Sequence, residues 1–121
     1  MPQKILIIEN DESLIELSKT ILRKRGFVID AITNVGGITD YLQKNKPDLI
    51  ILDNLLSGQK TGLEVCHDIK SHSDLRSIPI LLTTGQALKE EPSPNHPPDD
   101  YLHKPFEIET FLAKINKLLK K

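Results

Sequence analysis

The sequence predicts an α/β fold: a five-stranded, doubly wound parallel sheet with helices on both faces, in three layers. Three observations lead there. Short unbroken runs of branched apolar residues recur along the chain, among them Ile5-Leu6-Ile7-Ile8, Leu49-Ile50-Ile51-Leu52 and Ile80-Leu81-Leu82. Bounded by turn signals, such runs suit strands buried on both faces of a parallel sheet. The stretches between them carry apolar residues at helical spacing, and alternating strands and helices imply right-handed crossovers onto one sheet. The runs also end on polar groups, Glu9-Asn10-Asp11 after the first and Asp53 after the Leu49 run. In open α/β sheets the carboxyl ends of the strands form the edge where ligands bind.

The elements follow in order. After the first strand, Asp11 is a candidate N-cap for a helix with Leu14, Leu17 and Ile21 on its buried face, widened by Ile15 and Leu22, until Gly26 stops it. Phe27-Val28-Ile29 reads as a short strand. Thr33-Asn34 can cap a helix near 35–45 that carries Val35, Ile38, Tyr41 and Leu42, although Gly36-Gly37 weakens its start. Pro47-Asp48 is a turn into the strand ending at Asp53. A loop leads to a helix near 62–72 with Leu63, Val65, Cys66 and Ile69. Ile78 to Thr84 forms the fourth strand and Tyr101-Leu102-His103 the fifth. Residues 107–120 then repeat Ile108, Phe111, Leu112, Ile115, Leu118 and Leu119 at helical spacing.

One region breaks the alternation. Residues 90–98 hold four of the eight prolines, at 92, 94, 97 and 98, and a helix cannot continue through them. Residues 86–91 allow about a turn of helix, and the fourth helix is expected to be degraded or missing, with an exposed, polyproline-like loop in its place.

At 121 residues the chain suits one domain, expected over 1–121. Its net charge of −1 offers no basic footprint for direct nucleic-acid binding. Lys114, Lys117, Lys120 and Lys121 instead solvate and complement the end of the last helix. Cys66 is the sole cysteine, which excludes an intrachain disulfide. No apolar stretch approaches the roughly 20 residues that span a bilayer, and the amino terminus lacks a signal peptide's apolar region. A cytoplasmic location with no membrane partner is the expectation. His67, His72, His96 and His103 lack metal-ligand spacing and read as surface residues.

In a parallel doubly wound sheet the strand ends share one edge, so four distant segments converge: Glu9-Asn10-Asp11, Asp53, Thr84 and Lys104-Pro105. Acids around a carboxylate suit a hard divalent cation such as Mg²⁺, which takes oxygen ligands and keeps several waters. A hydroxyl and an ammonium beside it suit a phosphoryl group.

At these residues the chain resembles the receiver domain of bacterial two-component response regulators. KILIIENDESL is similar to that family's first strand and acidic cluster, and PDLIILD to its phosphoacceptor strand. GLEVCHDIK resembles the following helix, IPILLTTG the strand with the switch Thr/Ser, and DDYLHKPF the lysine-proline motif. The resemblance implies a flavodoxin-like sheet of order 2-1-3-4-5. It implies that Asp53 accepts a phosphoryl group from a histidine kinase or phosphotransfer protein, with Thr84 and Lys104 contacting the phosphoryl oxygens. It implies weakly held Mg²⁺ on Glu9, Asn10, Asp53 and the Leu55 backbone carbonyl, and a switch made of Thr84 and Tyr101. A half-buried Tyr101 packed on the last helix is the plainer alternative for that residue.

The sequence departs from the family pattern in places. The usual metal-binding carboxylate appears as Asn10, Ser57 stands where proline is frequent, and Leu55 and Gln86 occupy positions that tune dephosphorylation. The expected function is therefore a phospho-accepting signalling module that acts on an unknown output protein. It is not an enzyme beyond slow self-dephosphorylation. The alternative is a pseudo-receiver, a protein-interaction module that works without phosphorylation. An aspartate-nucleophile phosphatase is disfavoured, because Asp53-Asn54-Leu55 has no second Asp to act as general acid. A flavin site is disfavoured by the acids at 9–12.

Overall fold

The computed structural model describes residues 2–56, 60–85 and 96–120. The elements are β1 (Lys4–Ile8), α1 (Glu12–Lys24), β2 (Val28–Ile32), α2 (Ile38–Lys44), β3 (Leu49–Asp53), α3 (Gly62–Lys70), β4 (Ile80–Thr84), β5 (Asp100–His103) and α4 (Ile108–Leu119). All strand pairs are parallel and the sheet order is β2-β1-β3-β4-β5. The flavodoxin-like architecture is the one the sequence predicts.

Side chains alternate across the sheet, and this splits the core into two layers. Leu6, Ile8, Ile50, Leu52, Ile80 and Leu82 face α2 and α3, where they meet Leu42, Val65, Cys66 and Ile69. Ile5, Ile7, Ile51 and Leu81 face α1 and α4, meeting Ile15, Leu22, Phe111 and Ile115. β3 and β4 are buried along their whole length because helices cover both faces.

Several expectations are corrected in detail. On α1 the buried residues are Ile15, Ser18 and Leu22, while Leu17 is 50% exposed. The buried stripe thus runs one position away from the expected one, because a small hydroxyl residue packs where a larger apolar one was sought. Asp11 does cap this helix, accepting from the Leu14 amide at 3.2 Å, and Gly26 follows its end at φ +89°. β2 begins at Val28 and runs on to Ile32. It is an edge strand with Val28 and Asp30 exposed, so its apolar pattern is diluted. Thr33-Asn34 does not cap α2: the Asn34 side chain accepts from the Gly36 amide at 2.7 Å, and the helix starts after Gly37, at φ +70°. Ile108 is 48% exposed at the start of α4.

The expected turn of helix at 86–91 and most of the proline-rich loop lie outside the described residues, as do Ser57 and Gln86. Of that loop, His96, Pro97 and Pro98 are described; they belong to no helix or strand, and Pro98 is buried rather than exposed. His67, His72 and His103 are exposed as expected. His96 is half-buried, with its ring 5.0 Å from that of His67 and its Nδ1 buried without a hydrogen-bond partner among the described residues.

A buried lysine ties down the edge of the sheet at the strands' amino ends. Lys70, 5% exposed, donates to the carbonyls of Arg76 (3.0 Å) and Ile78 (2.8 Å) and to Asp99 Oδ2 (2.7 Å). The same Asp99 oxygen accepts from the Ile80 amide at 2.8 Å. The end of α3 is thereby joined to the starts of β4 and β5.

Candidate functional site

β1 and β3 are adjacent, with Ile8 opposite Leu52, so the residue after β1 and the last residue of β3 come side by side. These are Glu9 and Asp53, buried to 4% and 5% exposure. β4 places Thr83 directly opposite Asp53, and Thr84, also buried, opposite His103. Lys104 follows β5. Its amide donates to the Thr84 carbonyl at 2.8 Å, and its Nζ reaches back to Glu9 Oε1 at 2.9 Å and Asp53 Oδ1 at 3.3 Å. Three strand ends thus meet through one ammonium, and the Lys104-Pro105 peptide is cis.

The two carboxylates differ in surroundings. Glu9 Oε2 accepts from the amides of Asn10 (3.2 Å) and Asp11 (3.3 Å), so both Glu9 oxygens are engaged. Burial pushes the Glu9 carboxyl above its ordinary range, and repulsion from Asp53 adds to this while the Lys104 hydrogen bond opposes it. For Lys104, burial works against the charge. The hydrogen bond it donates to Glu9 and the charges of Asp53 and Glu9 outweigh it and hold the ammonium above its usual value. Two carboxyl groups this deeply buried sit side by side here because one ammonium hydrogen-bonds to both.

Asn10 and Leu55, the other expected metal ligands, flank this cluster in sequence and are exposed, the Leu55 side chain to 72%. The donors are all oxygen, which fits Mg²⁺ in kind. They are poor in charge: no three His, Cys, Asp or Glu residues gather for a metal among the described residues, and Lys104 already holds Glu9. Tyr101 is half-buried, packs against the core on the α2–α3 face and borders Thr110 and Lys114 of α4.

Three residues escaped the sequence reading. Thr83, not only Thr84, borders the acceptor; it lines a small pocket beneath the carboxylates with Glu9, Asp53, Ser18, Phe106 and Phe111. Asn54 donates its amide to the Thr83 carbonyl at 2.8 Å and accepts at its own carbonyl from Gly62 at 2.8 Å. Gly62 itself packs on the acceptor's backbone, where an added Cβ would fall 2.6 Å from the Asp53 carbonyl oxygen. The start of α3 is a capping box that the sequence reading also passed over, Thr61 with Glu64 three residues on, with both reciprocal bonds present at 3.2 and 2.8 Å.

The sequence model of the family described as response regulator receiver domain matches residues 5–116. Response regulator MprA of Mycobacterium sp. (strain KMS) is 31% identical over 123 residues, which cover 100% of this chain and 52% of that protein. The chain thus spans about half the length of the curated relatives it matches. A solved signal receiver domain of a signal transduction histidine kinase from Syntrophus aciditrophicus superposes with a TM-score of 0.85 at 29% identity, covering 97% of this chain and 89% of that one. The receiver domain of sensor histidine kinase PA1611 from Pseudomonas aeruginosa PAO1 gives a TM-score of 0.85 at 21% identity, with 98% of each chain covered. At that identity the likeness is one of fold.

Proposed function

The chain belongs to the response regulator receiver domain family, and on that premise we propose that Asp53 accepts a phosphoryl group from a histidine kinase or phosphotransfer protein. The observation that carries this reading is the Lys104 ammonium held at once by Glu9 (2.9 Å) and Asp53 (3.3 Å) at the carboxyl edge of the sheet. An Asp53 carboxylate oxygen forms a bond to phosphorus as the bond from phosphorus to the donor's nitrogen breaks, and the electron pair leaves with the donor. The product is an acyl phosphate. Lys104 then pairs with the transferred oxygens and the Thr84 hydroxyl donates to them, so the shift of that ammonium from carboxylate to phosphoryl is the local event. Asn10, Asp53 and the Leu55 carbonyl, with Glu9 behind them, are the residues that would hold Mg²⁺. Bound there, the ion neutralises charge on the transferred oxygens. The PA1611 receiver carries magnesium in its active-site cleft, which supports the same ion here.

The reading places the domain in the cytoplasm, relaying to an output protein through the Thr84–Tyr101 side of the sheet, without direct contact to nucleic acid or membrane. No helix among the described residues is long and apolar enough to cross a membrane. Incubation with acetyl phosphate and Mg²⁺ tests it: the protein gains the mass of one phosphoryl group, and EDTA prevents the gain. The phosphorylation-independent alternative draws on one observation, that both Glu9 oxygens are engaged and Asn10 is neutral. It is the outcome in which no mass is gained.

Asn10 also sets the strength of the metal site. A carboxylate in its place would add one unit of charge near the ion. About 4 Å away at an effective dielectric near 20, such a pair is worth roughly 4 kcal/mol per unit charge before desolvation. A surviving fraction of about 1.4 kcal/mol is tenfold in affinity. Asn10→Asp is therefore expected to tighten Mg²⁺ binding by about tenfold or more in calorimetric titration. Equal affinities would show that Asn10 lies outside the metal's reach.

A further inference from the structure

We propose that Asn54 is a positioning residue for the phosphoacceptor, fastening the end of β3 to the first turn of α3 so that the Asp53 carboxylate and the Leu55 carbonyl are presented in one fixed geometry. The inference rests on the reading of Asp53 given above and adds to it a residue that sequence reasoning passed over.

The first amides of any helix lack partners inside it. In α3 the amide of Gly62 donates to the Asn54 carbonyl at 2.8 Å, and that of Leu63 donates to Asn54 Oδ1 at 3.0 Å. The third, Glu64, is served by the Thr61 hydroxyl at 3.2 Å. Two of the three are thus satisfied by one residue outside the helix, eight positions upstream of Gly62. On its other side the Asn54 amide donates to the Thr83 carbonyl on β4 at 2.8 Å. Backbone contact closes the joint: a Cβ on Gly62 would meet the Asp53 carbonyl oxygen at 2.6 Å and Asn54 Cα at 2.7 Å. The chain immediately after the acceptor is therefore held between β4 and α3, and its next residue, Leu55, departs from an anchored point.

The side-chain bond needs a short acceptor at position 54. Asn and Asp supply one at the same reach; Ala supplies none. Misplacing a reacting group by about 1 Å costs as much as 10²-fold in rate, so loosening this joint acts on chemistry as well as on stability. A plain helix cap would act on stability alone, and that difference is measurable.

The test compares wild type, Asn54→Ala and Asn54→Asp by the rate of labelling with acetyl phosphate at saturating Mg²⁺, alongside thermal melting. Labelling in the Ala variant is expected to slow by about tenfold under conditions where it is fully folded, with the Asp variant restoring most of the rate. An Ala variant that melts lower but labels at the wild-type rate makes Asn54 a cap only and overturns the proposal. An Asp variant as slow as the Ala variant overturns it as well, because the acceptor atom would then be irrelevant. Absence of labelling in wild type is a separate outcome: it removes the phosphoacceptor reading, and this proposal with it.

Discussion

Gly62→Ala destabilises the protein by about 1–3 kcal/mol, the usual cost of forcing an extra carbon into a closed contact. The direction is informative, because Gly62 lies in α3, where replacing Gly by Ala normally stabilises a helix by about 1 kcal/mol. Here the added Cβ meets backbone on one side, the Asp53 carbonyl oxygen at 2.6 Å and Asn54 Cα at 2.7 Å, and Leu82 Cδ1 at 2.8 Å on the other. A flexible side chain can yield; the end of a central strand cannot without moving the acceptor. In urea the midpoint falls with an unchanged slope, which marks a loss of stability rather than a change in the unfolded state. A variant more stable than wild type would mean that β3 and α3 can part at this joint at little cost.

The second large effect lies at the opposite edge of the sheet. Lys70→Met is expected to cost about 3 kcal/mol, read from the same denaturation curves. Removing one partner of a buried ion pair leaves its other groups unsatisfied, and here these are the Arg76 and Ile78 carbonyls and the Asp99 carboxylate. Asp99 keeps the Ile80 amide and is 38% exposed, which holds the loss toward the lower part of the range for such pairs. Labelling at Asp53 is expected to be unaffected, because Lys70 anchors the amino ends of β4 and β5, away from the acceptor. A loss under 0.5 kcal/mol would show that water replaces the ammonium at little cost.

These two residues also mark where the sequence stops being legible. The sheet was readable because a strand covered on both faces must be apolar throughout, and the runs at 5–8, 49–52 and 80–82 satisfy nothing else. The candidate site was readable for a related reason: parallel strands bring their carboxyl ends to one edge, so residues at 9, 53, 84 and 104 converge whatever lies between them. Lys70 reads as an ordinary solvated lysine in α3, since only the three-dimensional path of residues 76–80 and 99 shows three acceptors around its amine. Ser18 and Leu17 were exchanged because hydropathy favours the leucine, whereas the space above Ile7 and Ile51 admits the smaller side chain. The edge strand β2 was cut short because a half-exposed strand mixes Asp30 among its apolar residues. Thr83 was passed over for Thr84, although strand register, invisible in a single sequence, sets Thr83 opposite Asp53. Asn54 and Gly62 carry no motif of their own, and their roles emerge from the contact between two elements.

The most direct test of the account is mass spectrometry of the protein and its Asp53→Asn variant after exposure to acetyl phosphate and Mg²⁺. Asn keeps the shape of the side chain and loses the nucleophilic carboxylate. One phosphoryl group is expected on the wild-type chain, mapped to Asp53, and none on the variant; equal labelling of both would contradict Asp53 as the acceptor.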